Sequence, residues 1–316
     1  MADVQYIFNN MAQEYDDLSD LWYSWLFSRL HYFIAKKIIR RDIKKKVLDI
    51  GCGTGFQSYL YSAAGYNVIG IDIAKDLIEI AKKKQQFFNP NRIELFPEYY
   101  DYVIRYNQKI RNILNKKIGK IKYLPPKFYF GDAQNIAYDD NDFDHINCCG
   151  STLSFVPKHK KAISEMARVL KPGGTFLIEV DHKWNFNFLW YILDPLVRGK
   201  FQYNKSIREG LRFLVKKFTR NIWINFPFGE YNNPVNMNLK LFTNYSLKRD
   251  LMKYGLKVEK KFSIHALTNL IPCTFLDCLK PSKRLINLFK ILAKLEEKLP
   301  FYLPGSSLVL YGKKVR

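Results

Sequence analysis

The stretch "VLDIGCGTGF" at residues 47–56 constrains this chain more than any other, because it leads an apolar run into a helix through a turn with glycine at alternate positions. Glycine there allows backbone conformations closed to other residues and removes the Cβ where a ligand must come close. "VLDIG" is an apolar run of strand length, "FQSYLYSAAGY" has apolar residues at helical spacing up to Gly65, and "NVIGIDI" is a second strand-length run. Strand, helix and strand in so short a space is the crossover unit of a parallel sheet.

The alternation continues. "AKDLIEIAKKKQQ" reads as a helix, "KFYFGDA" and "FDHINCCG" as strands, and "KHKKAISEMARVL" as a helix stopped by "KPGG" before the strand "TFLIEVD". "TNYSLKRDLMKYG" reads as a helix closed by Gly255, followed by the strands "LKVEKKFSIH" and "SLVLYGKKV". The expected fold class is α/β, a doubly wound Rossmann-like seven-stranded sheet with an antiparallel last strand, plus helical insertions forming a cap. The expected organisation is one domain over 1–316. It comprises an N-terminal helical lid (1–46), a core (47–181) with an insertion at 87–126, an aromatic and basic cap (182–240), and a C-terminal sheet half (241–316) with a helical insertion at 266–306. The cap carries Trp184, Phe186, Phe188, Trp190, Tyr191, Phe213 and Trp223.

Charge and cysteine usage bound the function classes. A formal charge of +22 suits nucleic acid, an acidic lipid surface or an anionic substrate, although a lysine-rich chain can simply have a solvated basic surface. The part of the first insertion from Arg105 to Lys127 holds eight Lys or Arg and no acid, and "RRDIKKK" at 40–46 is a second basic run. The five cysteines include no C-x-x-C and no His at zinc-ligand spacing, so neither a metal nor a disulfide framework is expected. Adjacent Cys148 and Cys149 should point to opposite faces of a strand as small core residues. An acid-bearing start and the lack of a long uncharged apolar run lead to the expectation of a cytoplasmic protein, with contact at a membrane surface left open.

A dinucleotide fingerprint is G-x-G-x-x-G, and its third glycine would fall on Phe56 here. The spacing of Gly51, Gly53 and Gly55 instead resembles the motif of class I S-adenosylmethionine-dependent methyltransferases, in the small-molecule and lipid branch of the methyltransferase type 11 kind. The resemblance extends through "GID" at 70–72, "GDA" at 131–133, "RVLKPGGTFLIE" and the leading "FNNMAQEYDDL". It implies S-adenosyl-L-methionine as cofactor, no metal, and a site built from Tyr15, Asp49, Gly51, Cys52, Gly53, Gly55, Asp72, Ile73, Asp132, Ala133, Cys149, Gly150 and Ser151. Tyr15 would lie over the cofactor, Asp72 would accept from the ribose hydroxyls and Asp132 would face the adenine amine. Asp49 would serve the ammonium, and a helix starting near Thr54 would offer amides to the carboxylate.

Many relatives carry a His in the loop after the fourth strand, whereas this chain has "GSTLSFVPK". A general base, needed only if the acceptor loses a proton during attack, would come from Asp181, His182 or His265 at strand ends. His145 and His159 read as structural. The expected activity is methyl transfer to a small, lipophilic, quinone- or lipid-like acceptor, with possible peripheral membrane contact through the apolar insertions. The alternatives are an RNA methyltransferase using the basic runs and a non-catalytic protein that only binds the cofactor.

Overall fold

In a computed structural model of the chain, the described residues are 4–16, 21–40, 45–89, 100–118, 123–186, 223–228, 235–272, 281–299 and 302–315, with isolated positions between 189 and 215 and at 275. Phe188, Tyr191, Phe213, Cys273 and Cys278 lie outside them.

Seven strands form one sheet: β1 (Lys46–Ile50), β2 (Asn67–Asp72), β3 (Lys127–Phe130), β4 (Phe143–Cys148), β5 (Leu170–Asp181), β8 (Leu256–Ile264) and β9 (Ser307–Lys314). Their order is β3-β2-β1-β4-β5-β9-β8, and β9 runs antiparallel to both of its neighbours. The expected sheet with its reversed last strand is therefore present. Central β1 pairs in parallel with β2 and β4, with Leu48 opposite Ile69 and Ile146. Val47 packs into one core layer while Leu48 and Ile50 pack into the other. That two-sided burial explains why the strand reads as a continuous apolar run and not as an alternating one.

On one face, α7 (His159–Val169) and α8 (Asn244–Met252) bury Ile163, Met166, Leu247 and Leu251. Thr243 starts α8 with a reciprocal capping box to Ser246. The other face is covered by α2 (Leu21–Phe33), a π-helical turn (Ile34–Ile38), α3 (Phe56–Ala63) and α4 (Lys75–Lys84), and by a helix from each insertion. The first insertion contributes α5 (Asp101–Ile118) and the second α9 (Lys283–Lys298). Their meeting point is Trp25 of α2, whose ring makes edge contacts with Tyr102, Tyr106 and Phe289 at 5.7–6.2 Å. Both insertions thus add a packed layer to the sheet and not a detached lobe.

The remaining described parts are α1 (Val4–Asn10), which lies against α4, a short α6 (Thr152–Phe155), and a separate antiparallel pair, β6 (Trp223–Phe228) and β7 (Val235–Lys240), within the 182–240 segment. Cys148 and Cys149 enter opposite core layers, as adjacent strand residues must. Among the described residues, no helix is long and apolar enough to cross a membrane.

Phe289 is fully buried against Trp25 and Tyr102. Phe289→Ala is expected to cost about 3–5 kcal/mol in urea-induced unfolding, and an effect below about 1 kcal/mol would mean that α9 does not belong to the cooperative core.

Candidate active site

The glycine turn follows β1 directly. Gly51 and Cys52 both donate their backbone N–H to the Ile71 carbonyl, at 2.8 and 3.1 Å, which ties the turn to the end of β2. Gly51 and Gly53 have φ of +67° and +54°, a region that disfavours a Cβ. Space is short at both positions as well. A Cβ on Gly51 would lie 2.2 Å from Thr152 Oγ1, and one on Gly53 3.2 Å from the Tyr15 ring. The helix that follows begins at Phe56, two residues later than the sequence suggests. Its N-cap, Gly55, supplies no side-chain acceptor, so the first-turn amides point to the site without a capping partner. Phe56 fills the space between α3 and α2, 5.3 Å from the Phe27 ring and beneath the Lys84 ammonium.

Asp72 closes β2 and is almost fully buried. One carboxylate oxygen accepts from Gly53 N at 2.9 Å and the other from Ala74 N at 2.8 Å. Burial raises its pKa, partly offset by these amides. Next to it, Gly131 N donates to the Asp72 carbonyl, which brings the half-buried Asp132 and Ala133 alongside. The Asp132 carboxylate accepts from the Gln134 backbone and side chain. Ile73, which follows Asp72, is half-buried. Tyr15 lies over Gly53, and burial first, then Asp72 and Asp16, pushes its phenol pKa well up. Asp16 accepts from Thr54 Oγ1 at 2.5 Å and pairs with Lys84, so the N-terminal segment is latched across the glycine turn.

Several expected residues have other duties. Asp49 is buried with one oxygen taken by Ser58 and the other by Asn147, and burial raises its pKa to about 6. It braces the turn from beneath. Cys52 donates to the Gly53 carbonyl and Cys149 to Asn147, and burial raises both thiol pKa values. His265 is stacked on Trp22 at 3.7 Å, with its ring nitrogens engaged by Thr268 and the Trp22 carbonyl. Burial lowers its pKa to about 3, so it is a neutral strut and not a base. His182 is buried, with Nδ1 donating to the Gly305 carbonyl at 3.2 Å.

The loop after β4 brings in a residue that the sequence reading missed. Gly150 and Ser151 have φ of +78° and +58°, and Ser151 N donates to Glu179 Oε2 at 2.6 Å. Glu179 is fully buried, and its Oε1 makes no well-aligned hydrogen bond, although the Ser307 hydroxyl is near enough to lower its pKa. Two residues on, on the same face of β5, lies the half-buried Asp181, whose Oδ2 makes no well-aligned hydrogen bond although the Ser151 and Ser154 hydroxyls are near enough to lower its pKa. Burial, then the Asp181 charge, raises the Glu179 pKa to about 7, and burial raises that of Asp181 to about 6. The signal was available in "LIEVD", where two acids alternate within an apolar strand. Among the described residues, no group of three His, Cys, Asp or Glu is placed to hold a metal.

The raised Glu179 pKa fixes the sign of a pH effect. From 4.5 to about 7, the folded state holds a proton that the unfolded chain has released. This contribution to stability is complete below pH 4.5 and is lost as pH rises through about 7. Glu179→Gln should flatten the loss of stability between about pH 5 and about pH 8. Denaturant unfolding at both values is the measurement, and an unchanged slope would refute the assignment.

The comparisons agree with this geometry. A family model described as a methyltransferase domain matches residues 24–261. A demethylmenaquinone methyltransferase from Oceanobacillus iheyensis is 26% identical over 71% of this chain and 86% of its own length. One from Staphylococcus haemolyticus is 28% identical over 54% of this chain, and the match spans 57% of that relative. Among solved structures, an S-adenosylmethionine-dependent methyltransferase from Methanosarcina mazei has a TM-score of 0.50 at 17% identity, over 86% of this chain and 93% of its own. A putative one from Listeria monocytogenes has a TM-score of 0.50 at 15% identity, over 92% of this chain and 98% of its own. A turn that only glycine can make, an acid at the end of β2, a second at the end of β3 and uncapped helix amides suit an adenosine with an amino-acid tail. The chain belongs to the methyltransferase domain family and is an S-adenosylmethionine-dependent methyltransferase.

Proposed function

We propose that the acceptor is a lipophilic quinol-like molecule, and that Glu179, with Asp181 beside it, takes its proton. The observation that carries the acceptor class is the similarity to demethylmenaquinone methyltransferases over most of the chain. The proton role rests on the fully buried Glu179, which accepts from Ser151 N of the Gly150–Ser151 turn, with the half-buried Asp181 beside it on the same face of β5.

When bound, S-adenosylmethionine supplies a methyl group already activated by its sulfonium. In this reading Asp72 and Asp132 hold the nucleoside, the first-turn amides of α3 face the carboxylate, and Tyr15 closes over the site. Alignment and exclusion of water then do most of the work. In this reading Glu179 would take the acceptor's hydroxyl proton as the acceptor is methylated. Because the Glu179 pKa is near 7, the group is able to accept that proton and later release it to solvent.

Contact with a membrane would use the outer face of α9, where Leu288, Ile291 and Leu295 are each about half exposed, near Arg284, Lys294 and Lys298. Glu296, near the end of the helix, binds the backbone of His265 and Leu267, which puts that face at the ligand end of the sheet.

Labelled methyl donor with a lipid extract containing prenylated quinols should yield a labelled lipid. Label found only in RNA would replace the acceptor. Glu179→Gln should lower kcat by about 10²–10⁴-fold and remove the limb of the pH profile near neutrality, while calorimetry shows cofactor affinity unchanged. Ile291→Glu with Leu295→Glu should reduce co-sedimentation with anionic vesicles and spare turnover of a short-chain acceptor.

A further inference from the structure

The two basic runs in the sequence, 40–46 and 105–127, have no role in methyl transfer as described above. The fold nevertheless brings described residues of each to one place. A cavity of about 470 Å³ lies at the N-terminal edge of the sheet, lined by Arg40 and Lys45 from the first run and Lys117 from the second. Lys36 and Lys37 of the π-helical turn and Lys260 of β8 complete the ring.

The ring is organised, and cations outnumber acids in its lining. Lys117 donates to the carbonyls of Ala35, Lys36 and Ile39, each at 2.8 Å, which fixes the backbone from which Lys36, Lys37 and Arg40 project. The one carboxylate in the lining, Glu259, is already paired with Lys313 at 3.1 Å. No described carboxylate pairs with Lys37, Arg40, Lys45 or Lys260. Burial, then Arg40 and Lys37, lowers the Lys117 pKa, and Lys45 adds to the burial that lowers that of His145. The floor is polar: Tyr61 OH meets His145 Nε2 at 2.9 Å, and His145 Nδ1 meets Thr175 Oγ1 at 2.8 Å. Like charges crowded around a concave polar floor repel one another until an anion enters, and low-dielectric walls strengthen that attraction.

The geometry points to a second binding site here, for a small ligand bearing a phosphate or diphosphate group. The volume suits a small molecule, and convergent Lys and Arg suit phosphate oxygens. The site is separate from the methyl-transfer site. Val47, at the start of β1, lines the cavity, whereas the glycine turn follows the far end of that strand, about 13 Å away at the rise of a strand. A groove lined by Tyr32, Phe33 and Phe262 shares Lys36, Lys37 and Lys260 with the cavity, so the phosphate could belong to a soluble molecule or to the head group of a lipid lying along those rings.

Calorimetry on the full chain at about 0.15 M salt with pyrophosphate, and flotation with phosphatidylcholine vesicles with or without phosphatidic acid, test the site. The variant is Arg40→Ala with Lys45→Ala. The control is Lys253→Ala with Lys257→Ala, which removes two cations outside the cavity lining, and cofactor binding reports the integrity of each protein. Saturable pyrophosphate binding, weakened at least about tenfold in the variant and not in the control, supports the site with a soluble ligand. Phosphatidic acid-dependent flotation lost in the variant alone, without pyrophosphate binding, supports it with a lipid head group. Absence of both, an equal loss in variant and control, or binding of single-stranded RNA alone would overturn it.

Discussion

The clamp between the glycine turn and the end of β2 is the interaction on which the rest of this structure depends. Two consecutive amides of the turn share the Ile71 carbonyl, and a third donates to the Asp72 carboxylate. The clamp fixes where β1 ends, where α3 begins and where Asp72 points. It requires positive φ at Gly51 and Gly53, and Thr152 and Tyr15 occupy the space that a Cβ would need. Asp49 supports it from below through Ser58 and Asn147, so a buried carboxylate is held by hydrogen bonds and not by a counter-ion.

Around this clamp the insertions add a helical layer that the minimal fold does not need. Trp25 gathers Tyr102, Tyr106 and Phe289 from segments far apart in sequence, and edge-on aromatic contacts of this kind each add about 0.5–1.5 kcal/mol beyond area burial. Glu296 binds the backbone of His265 and Leu267 beside the end of β8. The helix that carries an exposed apolar ridge outward is therefore anchored inward at the ligand end of the sheet.

The sequence was most legible where structure follows from near neighbours. Apolar run lengths marked the strands of the sheet, "KPGG" marked the end of α7, and the position of Phe56 separated this turn from a dinucleotide loop. Legibility fell where a role depends on a distant partner. His265 sits at a strand end, where the sequence reading places a base, yet Trp22, more than two hundred residues earlier, stacks on it and a backbone carbonyl takes its nitrogen. Glu179 passed as one more strand residue because nothing local shows that its carboxylate is fully buried.

By itself, the sequence determined the crossover unit, the glycine turn and the acids at the strand ends, because backbone conformation and strand period are short-range properties of the chain. Only the tertiary structure decided which titratable groups are free to act. It sealed His265 into a stack, buried Glu179 beside the half-buried Asp181, and gathered Arg40, Lys45 and Lys117 around one cavity. Burial, and the field of residues distant in sequence, set the protonation of such groups, and neither exists until the chain has folded.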